Sequence, residues 1–288
     1  MTVTEPAELL ATWEAGLARR GPARTRLLHR AARPAAGDEA LAALPVGARE
    51  ADLLALRRAL FGERMQVRLE CASCSAAMEF ELDAAGFAGR FAESAAAGDE
   101  PLRVVAGGWE VAFRPPTVAD VAAAAAAAGS AARAGSGSGL GSGSGGAVQG
   151  DGVTTTGGTG ADVSPTAVAR RVLLERCLVS AVRDGAPVDA RRAAGLLPSA
   201  VQRALAEAAE RADPGADVTF GIACPECGEV TRAELDIASY LWSELDAWAR
   251  DLLLDVHLLA SAYGWSEPQI LALSPLRRRY YLELCADA

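Results

Sequence analysis

Two short cysteine pairs, Cys71-Ala-Ser-Cys74 and Cys224-Pro-Glu-Cys227, constrain this chain more than anything else in it. They lie far apart in sequence but in matching surroundings. Laid over one another, they align Leu69 with Ile222, two residues before each first cysteine, and Leu82-Asp83 with Leu235-Asp236 after each second one. Each pair also follows a segment that reads as a helix, 47–61 and 199–212. The unit is helix, strand, Cys-x-x-Cys, strand, and it occurs twice.

One Cys-x-x-Cys turn offers two thiolates, whereas a closed structural zinc site needs four ligands in a tetrahedron, with sulfur about 2.3 Å from the metal. Two turns supply the set. Cys71, Cys74, Cys224 and Cys227 are therefore the expected ligands of one structural zinc ion per chain, with sulfurs about 4 Å apart. Closing the long intervening loop costs only slightly more than closing a short one. A thiol redox pair is the alternative, because Cys-Pro-Glu-Cys is glutaredoxin-like on its face. Such pairs place the first cysteine at a helix N-terminus, which lowers its pKa. Here Gly228 to Arg232 read as extended, and the second pair would be unexplained. The first turn lacks the proline and glycine of the second and is less well specified.

Composition narrows the function classes. With 288 residues, 51% of them hydrophobic, the chain can bury a substantial core. Its net charge of −9 gives no long-range attraction to phosphate backbones or anionic lipid, so neither nucleic acid nor a membrane is expected as partner. No apolar run is long enough to span a bilayer. The segment Met1 to Glu14 has no basic stretch followed by an apolar one, so it does not read as a secretory signal. The expected compartment is the cytoplasm, where thiols stay reduced and paired cysteines favour metal over disulfide.

Little in the sequence suggests catalysis. There are only two histidines, His29 and His257, and no paired-histidine zinc motif, Gly-x-Ser-x-Gly elbow or acidic metal cluster. The absence of lysine excludes a Gly-Lys phosphate loop. Gly141, Gly143 and Gly146 match the spacing of a dinucleotide fingerprint, but no strand precedes them and no helix follows. The expectation is a protein without catalytic residues or a small-molecule substrate. Cys177 and Cys285 read as core cysteines. The arginine-rich stretch Arg19 to Arg33 and the run Arg277 to Arg279 read as helix ends and solvated faces; the alternative is that they meet an acidic partner or nucleic acid, which would make the chain a zinc-ribbon nucleic-acid-binding protein.

The organisation reads as α+β: a zinc-ribbon-like core from the duplicated unit, a helical C-terminal unit and a disordered Gly/Ser linker. The boundaries are 1–128, a flexible Gly/Ser/Thr linker at 129–163, and 164–288, with the two outer parts packing as one domain. A hairpin is expected from Leu102–Val105 and Trp109–Phe113 through Gly107-Gly108. Thr117 caps a helix through the alanine tract, and Ser164-Pro165 opens one to about Val182. Ile237, Leu241, Leu245, Trp248, Leu252, Val256, Leu259 and Tyr263 recur at helical spacing, which predicts a long helix stopped by Gly264. Ser266 with Gln269 makes a capping box, and Ser274-Pro275 starts a last helix to about Cys285. Trp242 and Trp248 point to different sides of the long helix, so one packs in the core while Trp242, with Tyr280-Tyr281, is a candidate for docking a partner.

Several segments carry a family resemblance: Leu44 to Glu50, the two cysteine turns, Val111 to Asp120, Asp236 to Trp248, and His257 to Tyr281. Together they resemble the T4-type baseplate protein family, whose members are also described as baseplate hub assembly chaperones. The resemblance covers most of the chain outside the Gly/Ser stretch and is most specific over 217–284. It implies a role in building the baseplate of a contractile phage tail or a phage-derived contractile injection system. Hub or wedge proteins would be the partners, and the chain would be either an assembly chaperone or a retained structural subunit.

Overall fold

A computed structural model of the chain describes residues 5–87, 89, 91, 100–136 and 164–286. Four helices precede the first cysteine pair: α1 (Pro6–Leu17), α2 (Pro22–Ala32), α3 (Asp38–Ala43) and α4 (Val46–Phe61). Proline opens α1 and α2, where its fixed φ suits the first turn and its missing N–H would have had no acceptor within the helix. Strands β1 (Arg64–Glu70), β2 (Ala77–Asp83), β3 (Leu102–Ala106) and β4 (Trp109–Phe113) follow, then α5 (Val118–Ser136) and α6 (Pro165–Cys177). The remainder is β5 (Leu178–Arg183), β6 (Ala186–Val188), α7 (Ala190–Ala194), α8 (Ser199–Ala212), β7 (Thr219–Ala223), β8 (Val230–Glu234), α9 (Ile237–Tyr263), α10 (Glu267–Leu271) and α11 (Pro275–Ala286). Helix and sheet are mixed, so the class is α+β.

The chain divides into two compact units, one made of Met1–Ala97 with Asp213–Ala288, the other of Gly98–Ala212. This division differs from the sequence boundaries at 128 and 164, because packing groups the two ends of the chain and leaves its middle as a separate body. The expected linker also starts later: Gly129 to Ser136 continue α5, where the Ser130 hydroxyl donates to the Ala126 carbonyl at 3.0 Å. Residues 137–163, with Gly141, Gly143 and Gly146, lie outside the described residues.

In the first unit, α9 is the axis. Its face of Ile237, Leu241, Leu245, Ala249 and Leu252 is buried with Leu53 and Leu54 of α4, Leu28 of α2, Leu9, Leu10 and Trp13 of α1, and Met65. Trp242 belongs to this core, in contrast to the docking role expected for it. Its ring lies against Gly16, where a Cβ would collide with it, and beneath the Arg24 guanidinium at 4.1 Å. Polar ties fix the unit further. The Trp13 indole donates to Asp246 at 2.8 Å, and Asp213 accepts the buried Gly47 amide at 3.0 Å in the first turn of α4. Arg57, 1% exposed, forks onto Glu244 of α9 at 2.6 and 2.8 Å and donates to the Gly62 and Arg64 carbonyls. One guanidinium thus holds α4, α9 and the start of β1 together.

In the second unit, β3, β4, β5 and β6 form an antiparallel sheet in chain order. Gly107 and Gly108 take positive φ at the first turn, as expected, and Asp184-Gly185 do so at the β5–β6 turn. Leu178 to Arg183 pair with β4, although the sequence reads as helix to Val182. The short apolar run Leu178 to Val182 suits either state, and a neighbouring strand decides it. Trp109, Val111, Phe113, Ala181, Val201 and Leu205 make this core.

Asp120, fully buried near the start of α5, accepts from the Thr117 amide at 2.9 Å, the Thr117 hydroxyl at 2.8 Å and Arg176 at 2.7 Å, and pairs with Arg114. Burial alone would raise its carboxyl, but Arg114, Thr117 and Arg176 outweigh it and hold the group below its ordinary 3.8. A depressed carboxylate stabilises the fold fully above its unfolded value and loses that stabilisation as pH falls through its folded value. Asp120→Asn should therefore destabilise the second unit by about 2–4 kcal/mol at pH 7. Urea unfolding at pH 7 and below pH 4 should find that cost shrinking in acid.

In the first unit, Arg57→Ala leaves Glu244 and two carbonyls without their donor and should cost about 3 kcal/mol. Thermal unfolding at neutral pH checks it.

Candidate metal centre

The two cysteine pairs occupy the turns of two hairpins built to one plan. β1 and β2 pair from Arg64–Asp83 to Glu70–Ala77, and β7 and β8 from Thr219–Glu234 to Ala223–Val230. With Cys71 placed on Cys224 the two registers coincide, so Leu69 faces Met78 as Ile222 faces Thr231. The turns share their hydrogen bonds too. The Cys71 amide donates to the Ala76 carbonyl at 2.9 Å and the Ser75 amide to the Cys71 carbonyl at 2.9 Å; Cys224 with Glu229 and Gly228 with Cys224 repeat them at 2.8 and 2.9 Å. The fourth residue after each first cysteine takes positive φ, 76° at Gly228 and 59° at Ser75. Serine accepts there a conformation that favours glycine, so the first turn keeps its geometry without the expected sequence signal.

The parallel continues past the strands and then stops. Asp83 accepts the Ala85 amide at 3.0 Å where a short 3₁₀ turn begins, and Asp236 accepts the Ser239 amide at 2.9 Å to cap α9. The preceding helices diverge: α4 packs on α9 in the first unit, whereas α8 packs on β3 in the second.

Within the first unit the hairpins meet turn to turn. The four sulfurs of Cys71, Cys74, Cys224 and Cys227 lie within 4.8 Å of one another, with Cys71 to Cys227 at 3.6 Å and Cys74 to Cys224 at 3.7 Å. Cys71 and Cys224 are buried with Met78, while Cys74 and Cys227 are exposed. The Ala72 amide donates across to the Thr231 hydroxyl at 3.2 Å, and Phe80 meets Phe220 edge to face at 6.0 Å. Thr231 was not singled out in the sequence; its equivalence to buried Met78 is the signal that could have found it. Two ties position the pair on the core: the Tyr240 hydroxyl donates to the Gln66 carbonyl at 3.0 Å, and β8 runs directly into α9.

The four thiols shift one another's ionisation. Amide hydrogens of Cys74 and Ser73, with the Thr231 hydroxyl and Cys227, pull the Cys71 thiol down to about 6. At Cys227 the Glu229 amide lowers the thiol, but partial desolvation by its neighbours and the crowding of Cys74, Cys71 and Cys224 push it up to about 12. Cys74 is also raised: the Ala76 amide and Cys227 lower it, and partial desolvation with Cys224 and Cys71 prevails. Thiolates this close oppose one another's ionisation, and a bound cation removes the conflict. The four cysteines could hold a metal ion. Among the described residues they are the one cluster of three or more histidine, cysteine or acidic side chains placed to do so.

The other sequence candidates lie elsewhere. Cys177 is buried in the second unit and Cys285 is half-buried on α11. His29 is buried and bonded to Asp52 at 3.0 Å, with Arg33 on the same carboxylate at 2.9 Å; His257 is exposed. Arg278 pairs with Asp255 and Arg279 with Glu283. Among the described residues no helix is long and apolar enough to cross a membrane. Comparison with protein families, with curated proteins and with solved structures finds no match.

Metal analysis of the purified chain should find one ion per molecule, lost in Cys74→Ser, which removes an exposed ligand without opening a core cavity. Thiol titration of the native protein should gain four reactive groups when a strong chelator is added. Loss of the ion should lower the stability of the first unit by several kcal/mol, on the order of 3 or more, read as a fall in its unfolding temperature.

Proposed function

We propose that this protein is a non-enzymatic assembly factor for the baseplate hub of a contractile tail, with its first unit closed by one structural zinc ion. The observation that carries the zinc assignment is the convergence of two hairpins of equal register on four thiols. A set of four soft sulfur donors suits a d¹⁰ ion without geometric demands of its own, and it leaves no open position for a substrate or an activated water. On this reading the two hairpins are copies of one duplicated zinc-ribbon-like unit, and the metal joins them without taking part in chemistry.

The assembly role rests on the family resemblance and is supported by the surface of the C-terminal helices. Leu276, Tyr280 and Leu284 recur every fourth residue along α11 and are 60–65% exposed, and Leu254 and Leu258 are exposed on α9, which packs against α11. Solvent-facing apolar residues at helical spacing suit a protein partner. On the same helices and the turn after α9, Tyr263, Trp265 and Tyr281 interlock at centroid distances of 4.7, 4.9 and 5.8 Å. The docking role expected of Trp242 passes to this face.

The test is made in a producing cell. Deleting the gene should stop tail assembly, and affinity purification of the chain should recover hub or wedge proteins, an association that Leu276→Asp/Tyr280→Asp should weaken at least tenfold. Finished particles should lack the protein. Its presence there at fixed stoichiometry would assign a retained structural subunit instead, and recovery of ribosomes or nucleoid in place of tail proteins would overturn the reading.

A further inference from the structure

The second unit carries a cleft that neither the metal centre nor the helical docking face uses. Its volume is about 590 Å³, and Phe113 of β4, Leu174 of α6, and Leu205 and Ala209 of α8 are among its walls. A concave, mostly apolar surface of this size with a few placed polar groups is the usual form of a small-ligand site. The charged groups here are all of one sign. Arg114, Arg170 and Arg203 line the cleft, and no carboxylate does. In a chain with a net charge of −9 that selection runs against the average surface.

Two of these arginines are free to act. Arg114 is held by Asp120 and by the Arg176 carbonyl. Arg170 and Arg203 are exposed and have no ion-pair partner among the described residues. On α6 the i,i+4 pairing goes to Arg171 with Glu175, which leaves Arg170 out of it. An apolar body gains by leaving water for such walls, and a carboxylate gains charge-assisted, potentially bidentate hydrogen bonds from a guanidinium. A cationic ligand would meet repulsion at the rim.

We propose that this cleft binds an amphipathic anion, whose apolar chain lies on Phe113, Leu174 and Leu205 and whose carboxylate is held by Arg170 and Arg203. The ligand is bound and not transformed. The cleft's own thiol, Cys177, is pushed up to about 11 by burial, and neither a histidine nor a carboxylate lines the cleft to take its proton. The inference uses the second unit alone, so it stands or fails independently of the zinc and baseplate readings.

Titration calorimetry of the full chain with dodecanoate, kept below its aggregation threshold, should give one saturable site. Arg170→Ala/Arg203→Ala should weaken it about tenfold or more. Ala206→Trp, which places a ring in the cleft from an exposed position of α8, should do the same. All three positions are exposed, and unchanged thermal unfolding identifies properly folded variants. A parallel titration with a blocked Asp-Leu-Leu-Asp peptide separates two sources of the same chemistry: tighter dodecanoate binding assigns a free acid, tighter peptide binding an acidic segment of a partner. No saturable binding of either probe, or undiminished binding in either variant, overturns the proposal.

Discussion

Four sulfurs within 4.8 Å of one another impose the condition on which the architecture of the first unit depends. Thiols at that spacing exclude each other's charge, and a cation among them turns mutual repulsion into shared attraction. A single hairpin of two strands is at best marginally stable in water. Each of these hairpins has only one face of alternate apolar residues, and what covers the turn end of that face is the other hairpin, through Met78, Thr231, Phe80 and Phe220. The turns, the pairing of the hairpins and the donor set are therefore one feature seen at three scales.

That feature is not free to drift relative to the helices, because the ties on either side are short. The second hairpin passes into α9 through Leu235 and Asp236, the latter serving as the cap of the helix. The first is held at its base by Arg57, whose contacts to Glu244 and to the carbonyls of Gly62 and Arg64 bind strand, α4 and α9 at once. An arginine this buried is costly to desolvate unless its donors are used, and at least three of its bonds run to fixed acceptors. Position, more than net stability, is what such a group supplies.

The legible parts of this fold were those set by local chemistry. The cysteine spacing announces the cluster of four thiols, the recurrence from Ile237 announces α9, and Gly107-Gly108 announces its hairpin; each follows from a short stretch of chain. What sequence reasoning missed was decided at a distance. Leu178 to Val182 is a strand because β4 and β6 lie on either side of it. Trp242 is a core residue because Gly16, on another helix, leaves room for its ring. The sequence of α2 reads only as a basic stretch, since its arginines mask the small apolar face carrying Leu28. The division into two units follows packing across the whole chain: Asp213-Pro214-Gly215 signals only the end of a helix, and the Gly/Ser stretch marks a boundary different from those at Ala97 and Asp213.

The second unit interrupts the first, entering after Ala97 and returning at Asp213, so 150 residues separate Cys74 from Cys224. The four-cysteine cluster is nonetheless insensitive to what fills that interval. Closing a flexible loop costs only about 0.6 kcal/mol more for each doubling of its length. Both hairpins draw their register from their own pairs and turns, with no residue of the second unit in either ladder. A Gly/Ser tract of any length between α5 and α6 therefore leaves the four thiols where they are. This accounts for how such a tract can be carried by a chain whose most demanding geometry spans it.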